Sequence, residues 1–243
     1  MQASLVEVMS SIQGEGLFVG CRQVFVRLLG CNLACPYCDT PASLAESRQC
    51  RVEQTPGKRD FITLENPMTP ERAAGLLQHF DLAKHHSISF TGGEPLLHAG
   101  FLQEVIQLLG APRPLIFLET NGILPDELDR VIDWIDIVSM DIKLSGEIRW
   151  EDHARFLRLA CRKQAYVKIV VLPDTSDRLI TEAAALIASI DPALPLVLQP
   201  VTPYGAIRRS PSPERMLQVQ DLALERLKNV RVIPQTHKLM GQL

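Results

Sequence analysis

The chain has 243 residues, with 25 Lys and Arg against 28 Asp and Glu for a formal charge of −3, a balance that asks for no nucleic-acid partner. Hydrophobic residues at 46% and charged residues at 22% exclude a disordered or fibrous chain and supply a core. The apolar runs, such as 165–173 and 194–201, fall short of the roughly 18 residues that a membrane span requires.

In chain order, the N-terminus Met-Gln-Ala-Ser-Leu-Val-Glu-Val lacks the charged head and continuous apolar stretch of a signal peptide, so a cytoplasmic location is expected. Runs rich in Val, Ile, Leu and Phe predict strands at 23–29, 87–91, 115–119, 135–140, 166–172, 195–199 and 230–234. Helical spacing predicts helices at 70–80, after a Thr69 cap, and at 101–109, 125–132, 148–161, 181–190 and 213–227. Segment 43–67 is polar, contains Pro56-Gly57 and carries short β-like runs at 48–54 and 61–65. It predicts an inserted hairpin or loop, either a cover for what precedes it or a solvated surface loop. No repeat or linker divides the chain, so one domain over 1–243 is expected. Alternating strands and helices predict an α/β fold with a mostly parallel sheet and right-handed crossovers. About six parallel strands with outer helices suit an incomplete TIM-like barrel better than a full barrel of eight.

Six cysteines (Cys21, Cys31, Cys35, Cys38, Cys50, Cys161) are present. In a reducing compartment, a tight group of cysteines reads as metal or redox ligands before disulfides. Cys31-Asn-Leu-Ala-Cys35-Pro-Tyr-Cys38 has the spacing CxxxCxxC directly after a predicted strand and Gly30, at the strand end where α/β folds build sites. Three thiolates are one fewer than a closed zinc or a standard iron–sulfur site takes. Three cysteines on a four-iron cube leave one iron open to an amino and carboxylate chelate. A zinc site completed by Cys50 or His98 is the competing reading, and small buried hydrophobes are the bland one.

The CxxxCxxC loop, with Tyr37 before its last cysteine, resembles that of the radical S-adenosylmethionine (SAM) superfamily. Thr91-Gly92-Gly93-Glu94-Pro95 after a strand is similar to the superfamily's GGEP motif, and Leu118-Glu119-Thr120-Asn121-Gly122 and Gln199-Pro200-Val201-Thr202 follow later strands. Ser11-Ile12-Gln13-Gly14-Glu15-Gly16, Arg27, Cys38-Asp39-Thr40, Ser139-Met140-Asp141-Ile142-Lys143 and Gln235-Thr236-His237-Lys238 narrow the resemblance, over essentially the whole chain, to the 7-carboxy-7-deazaguanine synthases.

That resemblance implies a carbon–nitrogen lyase. It would contract 6-carboxy-5,6,7,8-tetrahydropterin to 7-carboxy-7-deazaguanine with loss of ammonia, a step in queuosine and deazapurine biosynthesis. Removing hydrogen from an unactivated carbon is beyond side-chain acids and bases, so a cofactor must supply the chemistry. The resemblance implies a [4Fe–4S] cluster on Cys31, Cys35 and Cys38, SAM as a regenerated cofactor, and Mg²⁺ at Thr40, which otherwise reads as a helix cap. Implied substrate contacts are Ile12, Gln13, Gly14, Glu15, Arg27, Thr91, His237 and the terminal Leu243. Implied SAM contacts are Tyr37, Cys38, Asp39, Gly93, Glu94, Glu119, Ser139, Met140, Asp141, Gln199, Pro200, Val201 and Thr202. On the residues alone, the glycine-containing stretch 13–16 serves equally as a turn, and Asp141 with Lys143 as a solvated charge pair. Relatives often carry Ser-Pro-Lys near 139–143, so the register there stays open. A flavodoxin- or ferredoxin-type electron donor and a homodimer are implied as partners. The competing functions are an activase that places a glycyl radical on another protein and a non-catalytic zinc-stabilised binding protein.

Overall fold

The computed structural model describes residues 1–44 and 47–242. The strands are β1 (Leu5–Ile12), β2 (Arg22–Leu28), β3 (Gln49–Glu53), β4 (Phe61–Glu65), β5 (Ser87–Gly92), β6 (Leu115–Thr120), β7 (Ile137–Asp141), β8 (Gln164–Val171), β9 (Leu196–Pro200) and β10 (Val230–Val232). The helices are α1 (Pro70–Gln78), α2 (Ala99–Leu109), α3 (Pro125–Val131), α4 (Trp150–Ala160), α5 (Asp177–Ala188), α6 (Pro213–Leu224) and the short α7 (Thr236–Leu239). Every predicted strand and helix is present. Helix α5 starts four residues earlier than its apolar stripe, because the Ser176 side chain accepts the Leu179 N–H and caps the helix there. Thr69 and Ser212 cap α1 and α6 in the same way, each followed by a proline at the first helical position.

All strands join one sheet in the order β10-β9-β8-β7-β6-β5-β2-β1-β3-β4. From β2 through β10 each neighbouring pair is parallel, so the chain winds in one direction as barrels do. The two edges do not pair with one another and the sheet stays open. The parallel run has one strand more than the six expected, the extra one being three-residue β10. Strand β1 has no counterpart in the sequence reading. It is wedged between β2, to which it runs antiparallel, and β3. That pairing makes segment 43–67 more than an excursion, since its hairpin β3–β4 extends the sheet. Residues 45 and 46 lie outside the described part of that segment.

The two faces of the sheet have different jobs. Alternate residues such as Ile88, Phe90, Ile116, Leu118, Val138, Met140, Val167 and Ile169 pack under the helices, where Leu102, Ile106, Phe156, Leu157, Ile180 and Val219 are buried. Their neighbours Phe117, Ile137, Tyr166 and Val197 point the other way and form a second small cluster with Leu17, Phe18 and Ile233. This cluster plugs the inner face at the strands' N-terminal ends. No helix among the described residues is long and apolar enough to cross a membrane.

Candidate active site

Because side chains alternate along a strand, the plug residues fix which residues face inward one step further on. These are polar: Glu119 after Phe117, Ser139 and Asp141 after Ile137, Lys168 after Tyr166, Gln199 after Val197. With Arg27 and Thr91 they line a single cleft at the C-terminal ends of the parallel strands. Its empty space, counted out to its mouth, is about 1380 Å³.

Cys31, Cys35 and Cys38 all line the cleft, half-buried and without a disulfide. Burial raises the Cys31 and Cys35 thiols, and the charges of the neighbouring cysteines add to the effect. Three thiols gathered on one short loop are the donor set that a soft metal centre stabilises. Among the described residues no three His, Cys, Asp or Glu side chains converge on one metal ion. The loop carrying them is pinned where the Glu94 N–H donates to the Gly30 carbonyl at 2.8 Å and where Asn121 Nδ2 donates to Asn32 Oδ1 at 2.7 Å. A Cβ on Gly93 would collide with that Gly30 carbonyl. The paired glycines thus serve a close approach of protein backbone; Gly93 still lines the cleft.

At the other end, loop 13–16 is held from both sides. Gln13 Nε2 donates to Gln23 Oε1 (3.0 Å) and to Glu119 Oε1 (2.8 Å). Glu119 also accepts from Ser89 (3.1 Å) and Thr91 (2.9 Å), which ties it to the implied substrate side. Gly14 has no room for a Cβ against the His237 ring, nor does Gly16, at φ +66°, against the Tyr166 hydroxyl. Glu15 accepts from Lys168 and, at 2.6 Å, from Gln235, which also donates to Asp39 at 2.9 Å. Burial works against the ionised Glu15, yet the Lys168 ammonium and these hydrogen bonds hold its pKa down at about 2. Lys168 also lies 3.4 Å from Asp141 Oδ1, and Lys143 pairs with Asp141 Oδ2. Arg27 reaches Glu7 Oε1 through Nε at 2.9 Å. Its terminal nitrogens, facing the cleft, meet no protein acceptor among the described residues.

Most residues expected at the site line this cleft: Ile12, Gln13, Gly14, Glu15, Arg27, Tyr37, Asp39, Thr40, Thr91, Gly93, Glu119, Ser139, Asp141, Gln199, Val201, Thr202 and His237, beside the cysteines. Four of the expected residues have side chains outside the lining or lie outside the described residues. The Glu94 side chain is fully buried behind the wall, where it accepts from Leu96 N, Thr120 Oγ1 and Asn121 N; burial raises its pKa to about 7 despite those bonds. Met140 points into the helix-side core, as alternation requires of a residue between two inward neighbours. Pro200 is likewise out of step with Gln199 and Val201 and is absent from the lining. Leu243 lies outside the described residues. The sequence reading missed Lys168 and gave no role to Lys143 or Lys238, and all three line the cleft. A lysine at an alternating position inside the apolar run 166–171 was the available signal.

The Radical SAM superfamily pattern matches residues 26–187. A 7-carboxy-7-deazaguanine synthase from Geobacter sulfurreducens is 46% identical, over 99% of this chain and 98% of that one. The chain belongs to the 7-carboxy-7-deazaguanine synthase family of radical SAM enzymes. An archaeal family member, from Methanocaldococcus jannaschii, is 33% identical over 98% of this chain and 99% of its own. The crystal structure of QueE from Escherichia coli superposes with a TM-score of 0.65, covering 98% of this chain and 95% of that one at 22% identity. At that identity the likeness supports the fold alone. Family membership removes the zinc-stabilised binding protein and the activase as readings.

Proposed function

We propose that the cleft carries out radical-initiated ring contraction of 6-carboxy-5,6,7,8-tetrahydropterin to 7-carboxy-7-deazaguanine, with release of ammonia. The observation that carries this reading is the meeting, in one cleft, of three unpaired thiols and an arginine whose terminal nitrogens have no protein acceptor. Cys31, Cys35 and Cys38 would hold a [4Fe–4S] cluster, which together with SAM supplies the hydrogen-abstracting radical when bound. The chain's own task is to place the substrate.

Arg27 offers two coplanar N–H donors to the pterin carboxylate, a fork that lysine cannot reproduce. Its Nε is anchored by Glu7, so the fork points in one direction. Gln13 and Glu15 present acceptors to the pterin's nitrogen-rich edge, and Thr91, locked onto Glu119, faces the same volume. Ser139, Asp141, Gln199, Val201 and Thr202 flank the adenosyl side. Gln199 Oε1 is buried and meets no hydrogen-bond partner among the described residues, as suits an acceptor for a ligand N–H or O–H. Thr40, 3.7 Å from Cys38 Sγ, offers a hydroxyl for Mg²⁺, whose shell the substrate and water would complete. The electron donor is a flavodoxin- or ferredoxin-type protein, and the enzyme works as a cytoplasmic homodimer.

Anaerobic incubation of reconstituted protein with carboxytetrahydropterin, SAM, reductant and Mg²⁺ should yield the deazaguanine. Deoxyadenosine formation without that product would overturn the substrate, and full turnover by iron-free protein would overturn the chemistry.

A further inference from the structure

Lys168 is a cation on the inner face of β8, with 9% of its side chain exposed. Three carboxylates bear on it: Asp141 from β7, Glu15 from the loop after β1, and Glu119 from β6. Glu15 has Lys168 as its one lysine or arginine partner among the described residues, whereas Asp141 also has Lys143. Two residues earlier on the same strand face, Tyr166 packs under Gly16. Strand β8 therefore seats loop 13–16 at two points, one by shape and one by charge.

We infer that Lys168 is a positioning residue for the amino-bearing edge of the pterin: it keeps Glu15 a carboxylate, turned so that its remaining lone pairs accept substrate N–H groups. The inference deepens the proposed function and rests on it. Both Glu15 oxygens already accept one bond, from Lys168 and Gln235, and each retains a second lone pair. Without Lys168 the carboxylate, with 20% of its side chain exposed, would be a largely buried charge lacking its cation. Such a group protonates, and a protonated Glu15 accepts less well and no longer prefers an amino group to a carbonyl. Asp141 keeps Lys143, so the damage falls on Glu15.

The test uses anaerobically reconstituted enzyme and two non-reacting fluorescent probes, pterin-6-carboxylate and lumazine-6-carboxylate, which carries oxygen in place of the 2-amino group. Wild type should favour the pterin, and Lys168→Met should reduce that preference about 10- to 100-fold, the worth of one charge-assisted hydrogen bond. An unchanged preference, whether affinity is retained or falls equally for both probes, would overturn the inference. Where Lys168→Met alone does not fold, Lys168→Met with Glu15→Gln leaves no uncompensated carboxylate at position 15. That double variant should show the same preference as Glu15→Gln alone, since Lys168 acts through Glu15; a further loss would overturn the proposal. If wild type binds neither probe and makes no deazaguanine, it is the proposed substrate that fails.

Discussion

Arg27 shows how one residue's surroundings decide its use. Amid Val24, Phe25, Val26 and Leu28 in β2 it has to find polar company, and alternation turns it inward with Phe25 toward the cleft. Glu7 takes one nitrogen of a guanidinium that lines the cleft, so the pair fixes how the arginine is turned. Arg27→Lys retains the charge and loses the fork. It should raise KM for the pterin about 10-fold or more while kcat falls less, as steady-state kinetics would show, because the interaction is made in ground and transition states alike. At the cysteines the expectation is all-or-none. Cys35→Ala should abolish both the absorbance near 400 nm of reconstituted protein and product formation; coloured, active variant protein would contradict the ligand assignment.

Among the elements, α4 carries a histidine that acts on stability alone. His153 is buried, with Nδ1 3.1 Å from the Gly122 carbonyl, and burial lowers its pKa to about 4. The unfolded chain takes up a proton near pH 6.5, before the folded one does. Stability is therefore full above that pH and falls as pH drops from 6.5 toward 4, by up to about 3 kcal/mol. Urea melts of wild type and His153→Gln should differ in this way: the variant loses the decline in that window, and an unchanged decline would assign it to other groups. The helices were legible because each longer one repeats an apolar stripe, and α1, α5 and α6 start at a capping hydroxyl. Strand β1 was not, since its Glu7 and Ser10 interrupt the apolar pattern. They fit only because Glu7 meets Arg27 and Arg51, and Ser10 meets His85 at 2.8 Å.

Over the whole molecule, the site is completed by the two ends of the chain. Thr236 N donates to the Gly14 carbonyl at 2.8 Å, His237 fills the space left by the missing Gly14 side chain, and Gln235 bridges Glu15 to Asp39. Lys238 adds an ion pair to Asp39 at 3.1 Å. Removing residues 235–243 should leave the parallel sheet and the cluster colour intact, yet weaken pterin-6-carboxylate binding about 10-fold or more, since several hydrogen bonds that set loop 13–16 are lost together. Fluorescence titration checks this, and wild-type affinity in the truncated protein would show that the C-terminal segment is no part of the site.

The parallel α/β scheme and the cysteine loop followed from the amino-acid order, because spacing, alternation and capping are local and survive in the bare sequence. The open ten-stranded sheet, the place of β1 and the roles of Lys168 and Gln235 did not. They depend on which charges meet across distant strands, as Lys168 meets Glu15 across 153 positions. A buried lysine and a surface lysine are the same letter until the fold surrounds one of them with carboxylates.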